Sequence, residues 1–156
     1  MTKPRYQEIG AHDIPEVERE DGVRIRVIAG MVDDVSGSVK EIAADPTYLD
    51  ISVPANTSFF HPIPAGHTAF AYVYAGKGIF GITSEDDGEQ VAAPRLVVFD
   101  NGDHVQIGAL GNGVRFLLIS GKPLNEPVAR YGPFVMNTEE EIEQALQDLR
   151  RGTFVK

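Results

Sequence analysis

From Val23 the chain reads Val-Arg-Ile-Arg-Val-Ile, an alternation that sets Val23, Ile25 and Val27 on one face of an extended segment and Arg24 and Arg26 on the other. This is the pattern of a half-buried strand. Short apolar runs follow at 48–53, 58–60, 69–74, 78–82, 96–99, 104–107 and 114–119. Turn-forming residues punctuate them: Pro54-Ala55-Asn56, Gly76-Lys77-Gly78, Asp86-Asp87-Gly88 and Asp100-Asn101-Gly102-Asp103. Closely spaced strands with no helical pattern between them predict an antiparallel sandwich or barrel and argue against a parallel α/β sheet.

Near the C-terminus the period changes. Thr138-Glu139-Glu140-Glu141 has the form of a capping box and puts acidic groups at the positive end of a helix dipole, so a helix is predicted from there to Arg151, stopping at Gly152. Ile142, Ala145, Leu146 and Leu149 recur on one face of that helix. A fully buried Ile or Leu contributes about 1.5–3 kcal/mol, so this stripe must cover something apolar, either the chain's own barrel or a partner. These four are the candidate interface residues. The opening 20 residues are polar, carry Pro4 and Pro15, and read as an extended arm. The expected organisation is an arm over 1–20, a β-barrel over 21–136, and an amphipathic helix with tail over 137–156.

Composition narrows the function. At 156 residues, 42% hydrophobic and 24% charged, the chain is about one domain long, and a domain of this size buries roughly 68–70% of its unfolded surface. A net charge of −9 disfavours nucleic acid and anionic membrane surfaces. Without cysteine there are no disulfides, thiolate nucleophiles or Cys-based zinc sites. The first residues are not followed by an apolar signal core, and no run is long enough to cross a bilayer, so a cytoplasmic location is expected.

Four segments carry a resemblance: Pro4-Arg5-Tyr6-Gln7; GVRIRVIAG over 22–30; HPIPAGHTAFAYVYAG over 61–76; and, beginning at Phe116, a run containing ISGKPLNEPVARYGPFVMNT up to Thr138. In this order they resemble the C-terminal domain of the pirin family, which are two-cupin proteins. The resemblance implies a cupin-type double-stranded β-helix, or jelly-roll barrel, with one C-terminal helix. It also implies iron binding and quercetin 2,3-dioxygenase activity in some members, with the iron in the N-terminal cupin. In that family the Pro-Arg-Tyr-Gln segment resembles the start of the second half, so the chain is expected to be either a separate C-terminal half or a piece of a longer protein.

A catalytic cupin holds its metal with His-x-His, a following Glu, and a His from a second motif. Counting back from Gly76 puts the Glu position at Ala69 and the His positions among Pro62 to Ala65; the second motif's His falls at Gly111-Asn112-Gly113. None of these can ligate, so no metal or catalytic residue is assigned. His61 and His67 flank Pro62-Ile63-Pro64, and with Asp50 or Glu85 they are the weak alternative for a metal site, since three or more donors must converge. The preferred reading has both rings hydrogen-bonded to backbone in a proline-stiffened loop. His104 is expected on a strand and His12 in solvent.

Phe59, Phe70, Tyr72, Phe80 and Phe116 are candidates to line a ligand pocket, although in alternating strands such rings more often fill the interior. No Ser or Thr stands in a nucleophile motif, and no glycine group forms a phosphate loop before a helix. The expected function is therefore a non-catalytic domain that packs against a metal-bearing N-terminal cupin or against a copy of itself as a homodimer. The alternatives are one half of a quercetin dioxygenase active only with its partner, and a small-ligand or regulatory protein.

Overall fold

The structure, a computed structural model, describes residues 6–83 and 86–154. It divides into two compact units, Met1–Pro123 and Leu124–Lys156. In the first, a 3₁₀ turn at Ala11–Asp13 precedes β1 (Glu16–Glu18), β2 (Arg24–Ala29), β3 (Met31–Val32), β4 (Val35–Ser36), β5 (Thr47–Val53), β6 (Ser58–Pro62), β7 (Thr68–Phe80), β8 (Glu89–Ala92), β9 (Arg95–Val98) and β10 (His104–Gly121).

The main sheet runs β1-β2-β5-β10-β7-β8, with β6 paired to β10 and β9 paired to β7. All of these pairings are antiparallel. Two strands organise it. The first part of β10 pairs with β6, its last part pairs with β5, and β7 runs along both parts.

The sequence reading splits β7 at Gly76-Lys77-Gly78 and leaves 108–113 outside the two runs 104–107 and 114–119, whereas in the structure β7 and β10 run through these segments. The register between them shifts between Leu110 and Val114. Gly76 and Gly113 both have positive φ, at 73° and 98°. A Cβ on Gly76 would collide with the Gly113 carbonyl oxygen. The glycines thus let two backbones approach closely where the sheet bends, and the chain does not reverse there. The predicted arm differs too: Val17 pairs with Ile25 and packs against the core, so residues 16–18 are an edge strand.

The core is formed by alternating residues of several strands: Ile25 and Val27 from β2, Leu49, Ile51 and Val53 from β5, Ala71 and Val73 from β7, and Ile107, Val114, Phe116 and Leu118 from β10. All are 1% exposed or less.

The second unit contains β11 (Ala129–Tyr131), β12 (Phe134–Met136) and α1 (Glu139–Arg151). The hairpin pairs only with itself, so it groups with the helix and not, as the sequence reading had it, with the large sheet. The predicted helix ends are both present. Thr138 Oγ1 accepts from the Glu141 amide at 3.3 Å, and the Glu141 carboxylate accepts from the Thr138 amide. Gly152 closes the helix in the left-handed region. Phe134 and Phe154 meet edge to face at 5.4 Å. Of the stripe, Ile142 and Ala145 are buried, Leu146 is half-buried and Leu149 is 54% exposed. Among the described residues no helix is long and apolar enough to cross a membrane.

Candidate functional site

Three rings meet on the otherwise aliphatic inner face of the sheet. Phe59 of β6 and Phe80 of β7 each meet Phe116 of β10 edge to face, at 5.8 and 5.6 Å, an arrangement worth about 0.5–1.5 kcal/mol per pair beyond area burial. Phe70 and Tyr72 stand on the opposite, outer face of β7. The five candidate pocket residues are therefore divided between two sides of the sheet.

One imidazole shares the inner side. His61 follows Phe59 by two residues on β6, so it points the same way; it is buried and stacks on Phe59 at 6.2 Å. Beside it the β3–β4 turn, with Asp33 and Asp34 both at positive φ, presents Asp33 to Arg19. The Arg19 guanidinium holds Asp33 with two bonds of 3.0 and 3.4 Å, donates to the Phe60 carbonyl at 3.3 Å, and lies 5.7 Å from the centre of the Phe59 ring. Burial, and then the Arg19 charge, push the His61 pKa below its ordinary 6.5, against a smaller opposing pull from Asp33.

His67 sits in a turn closed by its backbone amide to the Pro64 carbonyl at 3.1 Å, while its ring Nδ1 is buried with no hydrogen-bond partner. Asp50 projects from the outer face of β5, where it accepts a 2.6 Å bond from the Tyr74 hydroxyl. His61, His67 and Asp50 are thus not brought together, and Glu85 lies outside the described residues. His104 pairs with Asp103 at 2.6 Å and stacks on Phe60, and the His104 bond draws the Asp103 carboxyl below its usual range. His12 is exposed beside Asp13.

Two depressions mark the surface of the first unit. A cleft of about 980 Å³ runs along β8 and β9, with Phe80, Val91, Val97, Phe99 and Val105 among its lining and Arg95 and His104 also on it. A dent of about 320 Å³ on the outer face is lined by Glu16, Arg24, Arg26, Asp50, Ser52 and Arg115. There Glu18 holds Arg24 at 3.3 Å and Glu16 holds Arg26 at 3.4 Å. Arg115 lies 5.1 Å over the Tyr74 ring. Burial and the bond to Asp50 raise the Tyr74 hydroxyl to about 12.

Residues 48–155 match the pirin C-terminal cupin domain. The chain belongs to the pirin family. It is 38% identical over 154 residues to a pirin-like protein of Solanum lycopersicum and 39% identical over 153 residues to human pirin. These alignments take in 97% and 96% of this chain but 51% of each relative, so the chain spans about half the length of the curated relatives it matches. The crystal structure of quercetin 2,3-dioxygenase from Acinetobacter baumannii superposes with a TM-score of 0.83 at 32% identity, covering 99% of this chain and 52% of that one. The fold is a cupin.

Iron, which the pirin resemblance implies for some members, requires three or more converging nitrogen or oxygen donors. At the cupin ligand positions this pirin-family chain has Pro62 to Ala65, of which Ile63 is in the apolar core, Ala69, also in the core, and Gly111-Asn112-Gly113. The imidazole that does face inward, His61, is beside a guanidinium that repels a cation. Among the described residues no three His, Asp or Glu side chains converge. The donor set does not fit iron.

Sequence reasoning missed Arg19, Asp33 and Arg115. Arg19, between β1 and β2, and Asp33, in the turn of the short β3–β4 hairpin, are 14 positions apart, and the Asp33-Asp34 dipeptide is a turn signal for that hairpin. Arg115 reaches Tyr74 through the β7–β10 pairing, which no local pattern encodes.

Proposed function

We propose that this pirin C-terminal cupin is a non-catalytic domain whose work is to pack against a cupin partner: a metal-bearing N-terminal cupin where one is present, or a copy of itself. The observation that carries this reading is the interior, where Phe59, Phe80 and Phe116 occupy the space and, among the described residues, the buried polar side chains Thr47, His61 and Ser120 include a single imidazole, which lies beside the Arg19 guanidinium. The closed jelly-roll form belongs to the same reading, supported by the way β7 and β10 bend at Gly76 and Gly113 while each serves two sets of neighbours. A reducing compartment such as the cytoplasm suits a chain without cysteine.

The second reading is one half of a quercetin 2,3-dioxygenase that works only when the metal-bearing half is present. The likeness to half of the Acinetobacter enzyme favours it. One experiment addresses both. The purified chain is assayed for quercetin turnover alone and after mixing with a pirin-type N-terminal cupin loaded with iron. The packing role predicts co-purification of the two and no turnover by the chain alone. Turnover by the chain alone refutes it, and activity that appears only on mixing selects the second reading.

A further inference from the structure

The outer face of the sheet divides into an apolar half and a charged half. Strand register builds three rows across it. One runs Val98, Phe70, Ile119, Tyr48; the next runs Leu96, Tyr72, Leu117, Asp50, Arg26, Glu16; the third runs Arg115, Ser52, Arg24, Glu18. Leu96, Val98 and Tyr72 are 55%, 69% and 42% exposed, with Leu96 paired across strands to Tyr72 and Val98 to Phe70. Contiguous apolar exposure of this kind marks an interface. The charged half carries Arg24, Arg26 and Arg115 against Glu16, Glu18 and Asp50, so it is neutral within a chain of net charge −9.

We infer that this face docks onto the same face of a second copy, sheet against sheet, about a two-fold axis. This specifies the surface for the self-packing arm of the proposed function and rests on that reading. Charge selects the occupant. Two copies of an acidic protein repel each other over most of their surface, and a neutral patch holding three arginines and three carboxylates lets each copy present its cations to the other's anions. A two-fold interface requires one patch to be its own complement, and a patch with equal numbers of both signs permits this where a net-acidic patch does not.

The area is sufficient. The three rows hold four, six and four outward residues, and at about 4.8 Å between strands and about 6.6 Å between alternate residues they cover roughly 450 Å² in projection per copy. The pair then buries on the order of 1,000 Å² before side-chain relief is added, the lower bound for a specific interface.

Sedimentation velocity on the full chain over a concentration series provides the test, with Leu96→Asp and Val98→Asp as disrupting variants and Leu149→Asp, on the other unit, as the control. Leu96 and Val98 are exposed, so circular dichroism and a melting temperature near that of the parent verify that the variants fold. A reversible dimer is expected, weakened about tenfold or more by either sheet variant and unchanged by Leu149→Asp. Arg24→Glu is expected to weaken the dimer, and Glu18→Arg in the same chain is expected to restore part of it.

A monomer at every concentration overturns the inference, as does a dimer indifferent to Leu96→Asp and Val98→Asp or one dissociated by Leu149→Asp. Association with a metal-bearing cupin is measured separately. A monomeric chain that still binds that partner sinks the inference alone, whereas failure to bind either one removes the packing role itself.

Discussion

The two faces of one sheet have opposite chemistry although the same strands build both. Along β7, Ala69, Ala71 and Val73 point inward and are buried, while Phe70, Tyr72 and Tyr74 point outward and keep some exposure. The inner face is aliphatic except where three phenylalanines meet, and its buried polar side chains among the described residues are Thr47, His61 and Ser120. The outer face carries arginines, carboxylates, tyrosines and exposed aliphatics together. A cupin that catalyses directs its donors inward. This one directs its charge and its exposed apolar surface outward, which supports the proposed packing role.

That contrast is most directly broken by truncating one ring on each side. Phe116→Ala, at the centre of the inner cluster, is expected to destabilise by about 3–5 kcal/mol in denaturant unfolding, through lost burial and the cavity left behind. Gly113→Ala attacks the bend that keeps the inner face continuous. With φ at 98° and a Cβ that would lie 2.6 Å from the Val53 carbonyl oxygen, it is expected to cost about 1–3 kcal/mol. Tyr72→Ala on the outer face removes a cross-strand neighbour of Leu96 and is expected to cost less than about 1 kcal/mol. Equal losses from Phe116→Ala and Tyr72→Ala would abolish the distinction between the faces.

A smaller effect separates the faces by pH. The folded state holds His61 below its ordinary 6.5, so on acidification the unfolded chain binds the proton first. His61 therefore leaves stability intact above pH 6.5 and erodes it as pH falls below that value. Urea unfolding across this range is expected to show the decline, and His61→Phe is expected to flatten it. A His61→Phe profile parallel to that of the parent would place the titration on another group.

Parts of this were legible in the sequence and parts were not, for physical reasons. The helix was readable to both ends because its signals are local: Thr138 and Glu141 bond each other's backbone, and Gly152 takes the left-handed turn. The inward set of β2 and β5 was readable because alternation in a half-buried strand is also local. The continuity of β7 and β10 was hidden because Gly76 and Gly113 are turn residues by composition, and what requires glycine there is close backbone from distant segments, Gly113 beside Gly76 and Val53 beside Gly113. The ring candidates divided because alternation assigns residues to faces without saying which face is inside, so Phe70 and Phe116 looked alike. The Arg19–Asp33 clasp depends on a two-strand hairpin too short to leave a pattern.

The central claim, that the described residues of the inner side do not bring together the donors an iron needs, is tested most directly by anaerobic titration with ferrous iron followed by elemental analysis of the desalted chain. The account predicts far less than one iron per chain, with any residue unaffected by His61→Ala. One tightly held iron per chain, lost on removing His61, would contradict it.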